Sequence, residues 1–148
     1  MLFAAVFNLS ACGLFDSLED GVYVVDRIYL NGSLVGENHA IRRDLAAANA
    51  QWAIDGRNAT FSHPLIPGFP PIQAQSSTVE YRIREGYFEQ RSEELTNNLW
   101  TRENGSRQSA YTSTRVENNE IVIRYGTNSN AGQHFNGSVY IFYALQGE

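Results

Sequence analysis

Four dipeptides suited to positive φ punctuate this chain: Asn31-Gly32, Asp55-Gly56, Asn104-Gly105 and Asn136-Gly137. A two-residue β-hairpin turn of type I′ needs positive φ at both central residues. Asn, Asp and Gly reach that region at little steric cost. Glu85-Gly86 and Asn118-Asn119 are weaker versions of the same signal. A chain cut this often by tight turns folds back on itself in short strands, which is an antiparallel meander.

The segments between the turns carry the matching pattern. In Val79–Arg84, Val79, Tyr81 and Ile83 alternate with Glu80, Arg82 and Arg84, the period of a half-buried strand. A two-residue turn at Glu85-Gly86 places Phe88 opposite Ile83. Ile121, Ile123 and Tyr125 alternate with Glu120, Val122 and Arg124, and the Asn118-Asn119 turn sets Val116 against Ile121. Gly21–Leu30 returns across Asn31-Gly32 with Tyr29 against Leu34. Gln51–Ile54 returns across Asp55-Gly56 to Arg57–Phe61. Val139–Leu145 is apolar on both faces, as a strand covered on both sides would be. The expected fold is all-β, an antiparallel meander of about eight to ten strands closed into a barrel, since closure removes exposed edges.

Only Asn38–Ala50 reads as helix. Asn38 stands in a capping position, and Ile41, Leu45 and Ala48 share one face. Arg42-Arg43 then lies on its solvated side. Two loops stand apart. Ser62–Thr78 holds all four prolines together with Leu65, Ile66, Phe69 and Ile72. It reads either as an apolar rim over a barrel mouth or as a packed crossover. Gly126–Asn136 is polar and rich in Gly and Asn.

Composition narrows the function classes. The net charge of −5 disfavours a nucleic-acid surface, and all eleven basic residues are arginine. A single cysteine excludes an intrachain disulfide, so the core alone holds the fold. His39, His63 and His134 lack metal-ligand spacing, and no metal or cofactor is expected. No Gly-x-Ser-x-Gly elbow occurs. Glu93-Glu94, read as neighbouring strand residues, would point to opposite faces. No catalytic residue is assigned and no enzyme is expected. The aromatic residues Tyr23, Trp52, Tyr81, Phe88, Trp100, Tyr111 and Tyr125 are the candidates for an inward-facing lining. They form either plain core or the wall of a ligand cavity, because a small barrel is filled by its own side chains or holds one small ligand. Inward-facing Tyr hydroxyls would favour the cavity, since each buried hydroxyl wants a partner.

The N-terminus carries the sharpest motif. Leu2–Phe7 is apolar and too short to span a bilayer. It runs into Leu9-Ser10-Ala11-Cys12-Gly13, which resembles the lipobox of a bacterial lipoprotein precursor. The resemblance implies a signal peptide over 1–11, a lipidated Cys12 with a short tether over 12–20, and a domain over 21–148. No Lys or Arg precedes Cys12, so a frayed apolar strand with a buried free thiol also fits. Gly13 in place of Asp points to the outer membrane, with the domain facing the periplasm.

Gly21-Val22-Tyr23 at the head of the first strand, followed by repeated strand–turn–strand units from Leu18 to Leu145, resembles the lipocalin-like domains of small bacterial lipoproteins. The helix lies earlier than the main helix of a typical lipocalin, so the resemblance is to the wider class of lipocalin-like barrels. It implies a calyx-shaped barrel with a small apolar or amphipathic ligand. The alternative is a filled barrel that works by contact with an envelope protein, as an interaction or inhibitor module. Either way the membrane is met through the lipid anchor.

Overall fold

A computed structural model describes residues 17–47, 49–62, 76–102, 110–127 and 138–147, without the side chains of residues 62, 76, 77, 95, 110–113 and 125–127. The elements are β1 (Gly21–Leu30), β2 (Ser33–Leu34), α1 (Ala40–Ala47), β3 (Gln51–Asp55), β4 (Asn58–Ser62), β5 (Ser76–Arg84), β6 (Tyr87–Arg91), α2 (Glu93–Thr96), β7 (Ala110–Glu117), β8 (Glu120–Thr127) and β9 (Ser138–Leu145). Strands β3 to β9 follow one another in sequence order, all antiparallel, and β1 closes the sheet by pairing with both β3 and β9. The result is a closed eight-stranded barrel with β2 as an extra short strand on β1. This architecture is compatible with a lipocalin-like barrel.

Turn chemistry sets the register. Asn31-Gly32, Glu85-Gly86 and Asn118-Asn119 have positive φ at both residues, as type I′ turns require. The pairs expected from them are present: Tyr29 with Leu34, Ile83 with Phe88, and Val116 with Ile121. The β3–β4 hairpin differs from expectation. Asp55 pairs with Asn58, so the turn residues are Gly56-Arg57, and only Gly56 has positive φ. That is the type II′ pattern, which places Gly first. Asp20 Oδ1 accepts the Gly56 N–H at 2.8 Å and holds the turn there.

The two barrel ends are unlike. One carries the tight turns between β3 and β4, β5 and β6, and β7 and β8. Leu18–Asp20, expected as the last part of a tether, closes this end, with Leu18 buried in the core. The other end carries α1, and β4, β6 and β8 end there. Ile41 and Leu45 of α1 are buried against the barrel core. The helix starts two residues later than expected. His39 Nδ1, not Asn38, accepts the Ile41 N–H at 3.2 Å. Asn49 at positive φ ends it, with Ala50 N–H donating to the Leu45 carbonyl. Arg42, expected in solvent, donates to the Asp26 carbonyl at 2.9 Å.

Three further expectations change. Glu93-Glu94 lies in the helical turn α2 rather than a strand. Gly126 and Thr127 belong to β8, and Ser62 and Ser76–Thr78 belong to strands, so both loops are shorter than read. The outward face of β9 is only half covered: Arg27 lies 4.1 Å over the Phe142 ring, and Tyr29 meets the same ring edge-on. The remaining segments of the two loops, and Leu65, Ile66, Phe69 and Ile72 with them, lie outside the described residues, as does Cys12.

Gly21 is the position where glycine is indispensable. Its φ is 144°, and a Cβ there would stand 2.6 Å from Leu145 Cδ1. Gly21→Ala is expected to destabilise the barrel by about 1–3 kcal/mol in a denaturant titration. Adding Leu145→Ala to it should recover the clash but not the backbone strain. A Gly21→Ala variant as stable as the parent would contradict this account.

Candidate functional site: barrel interior and arginine–aromatic wall

Strand alternation sends Tyr23, Trp52, Tyr81 and Phe88 into the barrel, all of them buried. Trp52 is the centre of a ring cluster. Its centroid lies 4.6 Å from Phe61, 5.2 Å from Phe88 and 6.4 Å from Tyr143. Tyr81 stacks on Phe88 at 5.1 Å with planes 6° apart. Contacts of this kind add about 0.5–1.5 kcal/mol each beyond area burial. Phe61 and Tyr143 were not singled out in the sequence. Their alternation with neighbouring residues is the signal that finds them.

Of the three buried tyrosines, Tyr23, Tyr81 and Tyr143, the first two send their hydroxyls to the closed end, where the chain itself satisfies them. Tyr23 donates to the Glu19 carbonyl at 3.0 Å and lies 3.1 Å from Asn119 Oδ1. Tyr81 accepts the Leu18 N–H at 3.2 Å. Burial, with the nearby Glu19 charge adding to it, pushes the Tyr23 hydroxyl up to about 12. Burial raises Tyr81 as well.

Trp100, expected inside, stands on the outer wall. Its ring lies 4.4 Å from the Arg82 guanidinium and 4.7 Å from that of Arg91, and both arginines alternate outward on their strands. The reason is the path after α2. Thr101 pairs with Gln90 along the edge of β6, with reciprocal backbone bonds of 2.8 and 2.9 Å, and carries Trp100 and Arg102 over the outer face. Farther along the same edge, the one away from β5, β6 meets β7 in a single ladder pair, Tyr87 with Arg115. Tyr111 and Tyr125 lie in β7 and β8, their side chains outside the described residues.

The wall is an interleaved array of arginine, aromatic and carboxylate groups. Glu89 points outward yet its side chain is only 9% exposed, bonded by Arg82 Nε at 2.7 Å and Arg102 Nε at 2.9 Å. Arg102 reaches Glu85 at 3.1 Å, and Arg91 Nε meets Glu80 at 2.9 Å. Tyr87 lies between the guanidiniums of Arg102 and Arg115, at 4.5 and 4.8 Å. Burial pushes the Glu89 carboxyl up, but the hydrogen bonds from Arg102 and Arg82 outweigh it and hold it below the ordinary range. The Arg91 bond lowers Glu80 in the same way. Among the described residues no group of three His, Cys, Asp or Glu side chains is placed to hold a metal ion, and no helix is long and apolar enough to cross a membrane. His39 caps α1; His63 and His134 lie outside the described residues.

A depressed carboxyl pKa means that the folded state binds fewer protons than the unfolded one. Glu89 therefore contributes stability above about pH 4.5, lost as pH falls through its lower folded value. Thermal unfolding from pH 7 to pH 3 is expected to show a shallower acid decline in Glu89→Gln than in the parent. Parallel declines would remove Glu89 from the account.

In comparisons with known proteins, no family model, curated protein or solved structure matches this chain.

Proposed function

We propose that this protein is a non-enzymatic, membrane-anchored module of the bacterial envelope. Its barrel is filled by its own side chains, and it works by contact with another protein. The observation that carries this reading is the fate of two inward-facing tyrosine hydroxyls. Tyr23 and Tyr81, the groups that would have greeted a ligand, are bonded to Glu19, Asn119 and Leu18 of the same chain. The ring cluster around Trp52 occupies the space beside them. The wall carboxylates support the non-enzymatic reading. Glu89 is held ionised by two guanidiniums, the opposite of what a general acid needs.

Anchoring rests on Cys12. Four residues lie between it and Ser17, a reach of at most about 18 Å over the five residue steps. The closed end of the barrel then faces the bilayer, most simply the periplasmic side of the outer membrane, and the end bearing α1 faces away. Lipid on Cys12 needs no second membrane contact once several acyl chains are attached.

Two measurements test this reading. In native mass spectrometry of the full chain purified from a bacterial envelope, the mass is expected to be that of the chain plus covalent acyl groups, and tryptophan fluorescence is expected not to respond to fatty acids. A non-covalent mass that leaves on denaturation would restore the alternative, a carrier of a small apolar or amphipathic ligand. In cell fractionation, Cys12→Ser is expected to move the protein out of the membrane fraction. Retention there would refute the anchor.

A further inference from the structure

We infer that the chain from Leu99 to Arg102 is a displaceable strap, and that its departure lets β6 and β7 zip together along the edge it now occupies. The seam between these strands thus has two forms, one with the outer face of β5 and β6 covered and one with it bare.

Two segments compete for one stretch of backbone. β6 and β7 pair only at Tyr87 with Arg115, beside the Val116 N–H bond to the Gly86 carbonyl at 2.9 Å. Continuing that antiparallel ladder sets Phe88 against Thr114, Glu89 against Ser113 and Gln90 against Thr112. In the structure Thr101 holds Gln90 instead, through both reciprocal backbone bonds. One N–H and one C=O serve one strand at a time, so Thr101 and Thr112 exclude each other. β7 is in place to take over. Its pairing with β8 keeps it a strand back to Ala110, yet from Thr114 to Ala110 it makes no ladder pair with β6 among the described residues. The continued ladder also needs no slip of register, because it brings Phe88 and Thr114 together, both buried on the inner face.

The strap is lightly tied. Besides the Thr101 pair it is held by side chains at the surface. Arg102 meets Glu89 and Glu85, and the Trp100 ring lies against Arg82 and Arg91. Surface ion pairs of this kind are weak. Leu99 at the head of the strap is 67% exposed and brings nothing into the core. Asn97 and Asn98, at φ 49° and 61°, turn the chain from α2 into the strap, a conformation that non-glycine residues hold where their neighbours impose it. Release exchanges one ladder pair and these surface contacts for the pairs that β6 lacks with β7, and it returns conformational freedom to the strap. It uncovers the guanidinium faces of Arg82 and Arg91 and returns Glu89 to water with its bond from Arg82.

Amide exchange of the isotope-labelled full chain, followed by NMR at neutral pH, tests the two forms. The Gln90 and Thr101 N–H groups are bonded to each other's carbonyls. A pair that merely opened to solvent would give both the same protection factor. With two forms, Thr101 loses its bond when the strap leaves while Gln90 passes to Thr112, so Gln90 is expected to be protected about tenfold or more above Thr101. Arg102→Gln loosens the strap and spares the Arg82–Glu89 bond. It is expected to speed Thr101 exchange about tenfold and Gln90 exchange less than about twofold. Thr112→Pro removes the donor that the zipped form needs, on an edge without a ladder pair to β6, where proline costs a strand least. It is expected to bring Gln90 protection down to that of Thr101. Equal protection of Gln90 and Thr101 in the parent, equal acceleration of both in Arg102→Gln, or Gln90 protection unmoved by Thr112→Pro would each overturn the proposal. The comparison in the parent decides it alone if Thr112→Pro does not fold.

Discussion

Closure of this sheet depends on β1. It is ten residues long, and one edge pairs with β9 from Tyr23 to Leu30 while the other is shared between β3 and β2. A strand serving two neighbours around a small barrel must bend, and the bulge between Val25 and Arg27 supplies the bend. The bulge also puts Asp26 and Arg27 together on the outside before Ile28 returns to the core. Each consequence is met locally. Arg42 of α1 takes the Asp26 carbonyl, which ties the helix to the strand it covers. Arg27 crosses the Phe142 ring on β9 to grip both oxygens of Glu120 on β8 at 2.7 and 3.1 Å. One guanidinium thus spans three strands at the seam where the first and last strands meet.

The meander is legible in the sequence because its turns are built from residues with a backbone reason to be there. Asn31-Gly32, Glu85-Gly86 and Asn118-Asn119 specify two-residue loops, and a two-residue loop leaves one register. Asp55-Gly56 misleads for the same kind of reason. Gly serves the first position of a II′ turn as well as the second of a I′ turn, and the choice falls to Asp20, a distant residue. The bulge at Asp26 has no local sign, since nothing in Val25-Asp26-Arg27 differs from an ordinary strand. Inward positions in well-patterned strands, such as Tyr81 and Phe88, follow from alternation alone. Trp100 does not, because it sits outside any strand, and its side of the wall is decided by the pairing of Thr101 with Gln90.

The interior and the wall solve opposite problems with similar residues. Inside, rings meet rings, and the hydroxyls of Tyr23 and Tyr81 are led to the closed end, where Glu19, Asn119 and Leu18 meet them. Outside, rings meet guanidiniums, and the aromatic faces shield the arginine stems from water while the charged edges stay in it. Glu89 marks the boundary. It faces outward by alternation but is covered by the chain passing through Trp100 and Arg102, so it needs two cations rather than one. A charge buried this far with a single partner would cost more than it returned.

The closed end links these two regions to the N-terminus. Leu18 is buried and its N–H is held by the Tyr81 hydroxyl, while Tyr81 stacks on Phe88, whose neighbours in β6 are Tyr87 and Glu89 of the wall. Leu18 is therefore part of the core rather than of a loose leash on it. A leash would let the barrel tumble and present every face to the surroundings. Were Cys12 anchored as proposed, a core-docked Leu18 would set the closed end of the barrel nearest the attachment point. The β5–β6 wall would then lie along the side of the barrel, between its closed end and the end bearing α1.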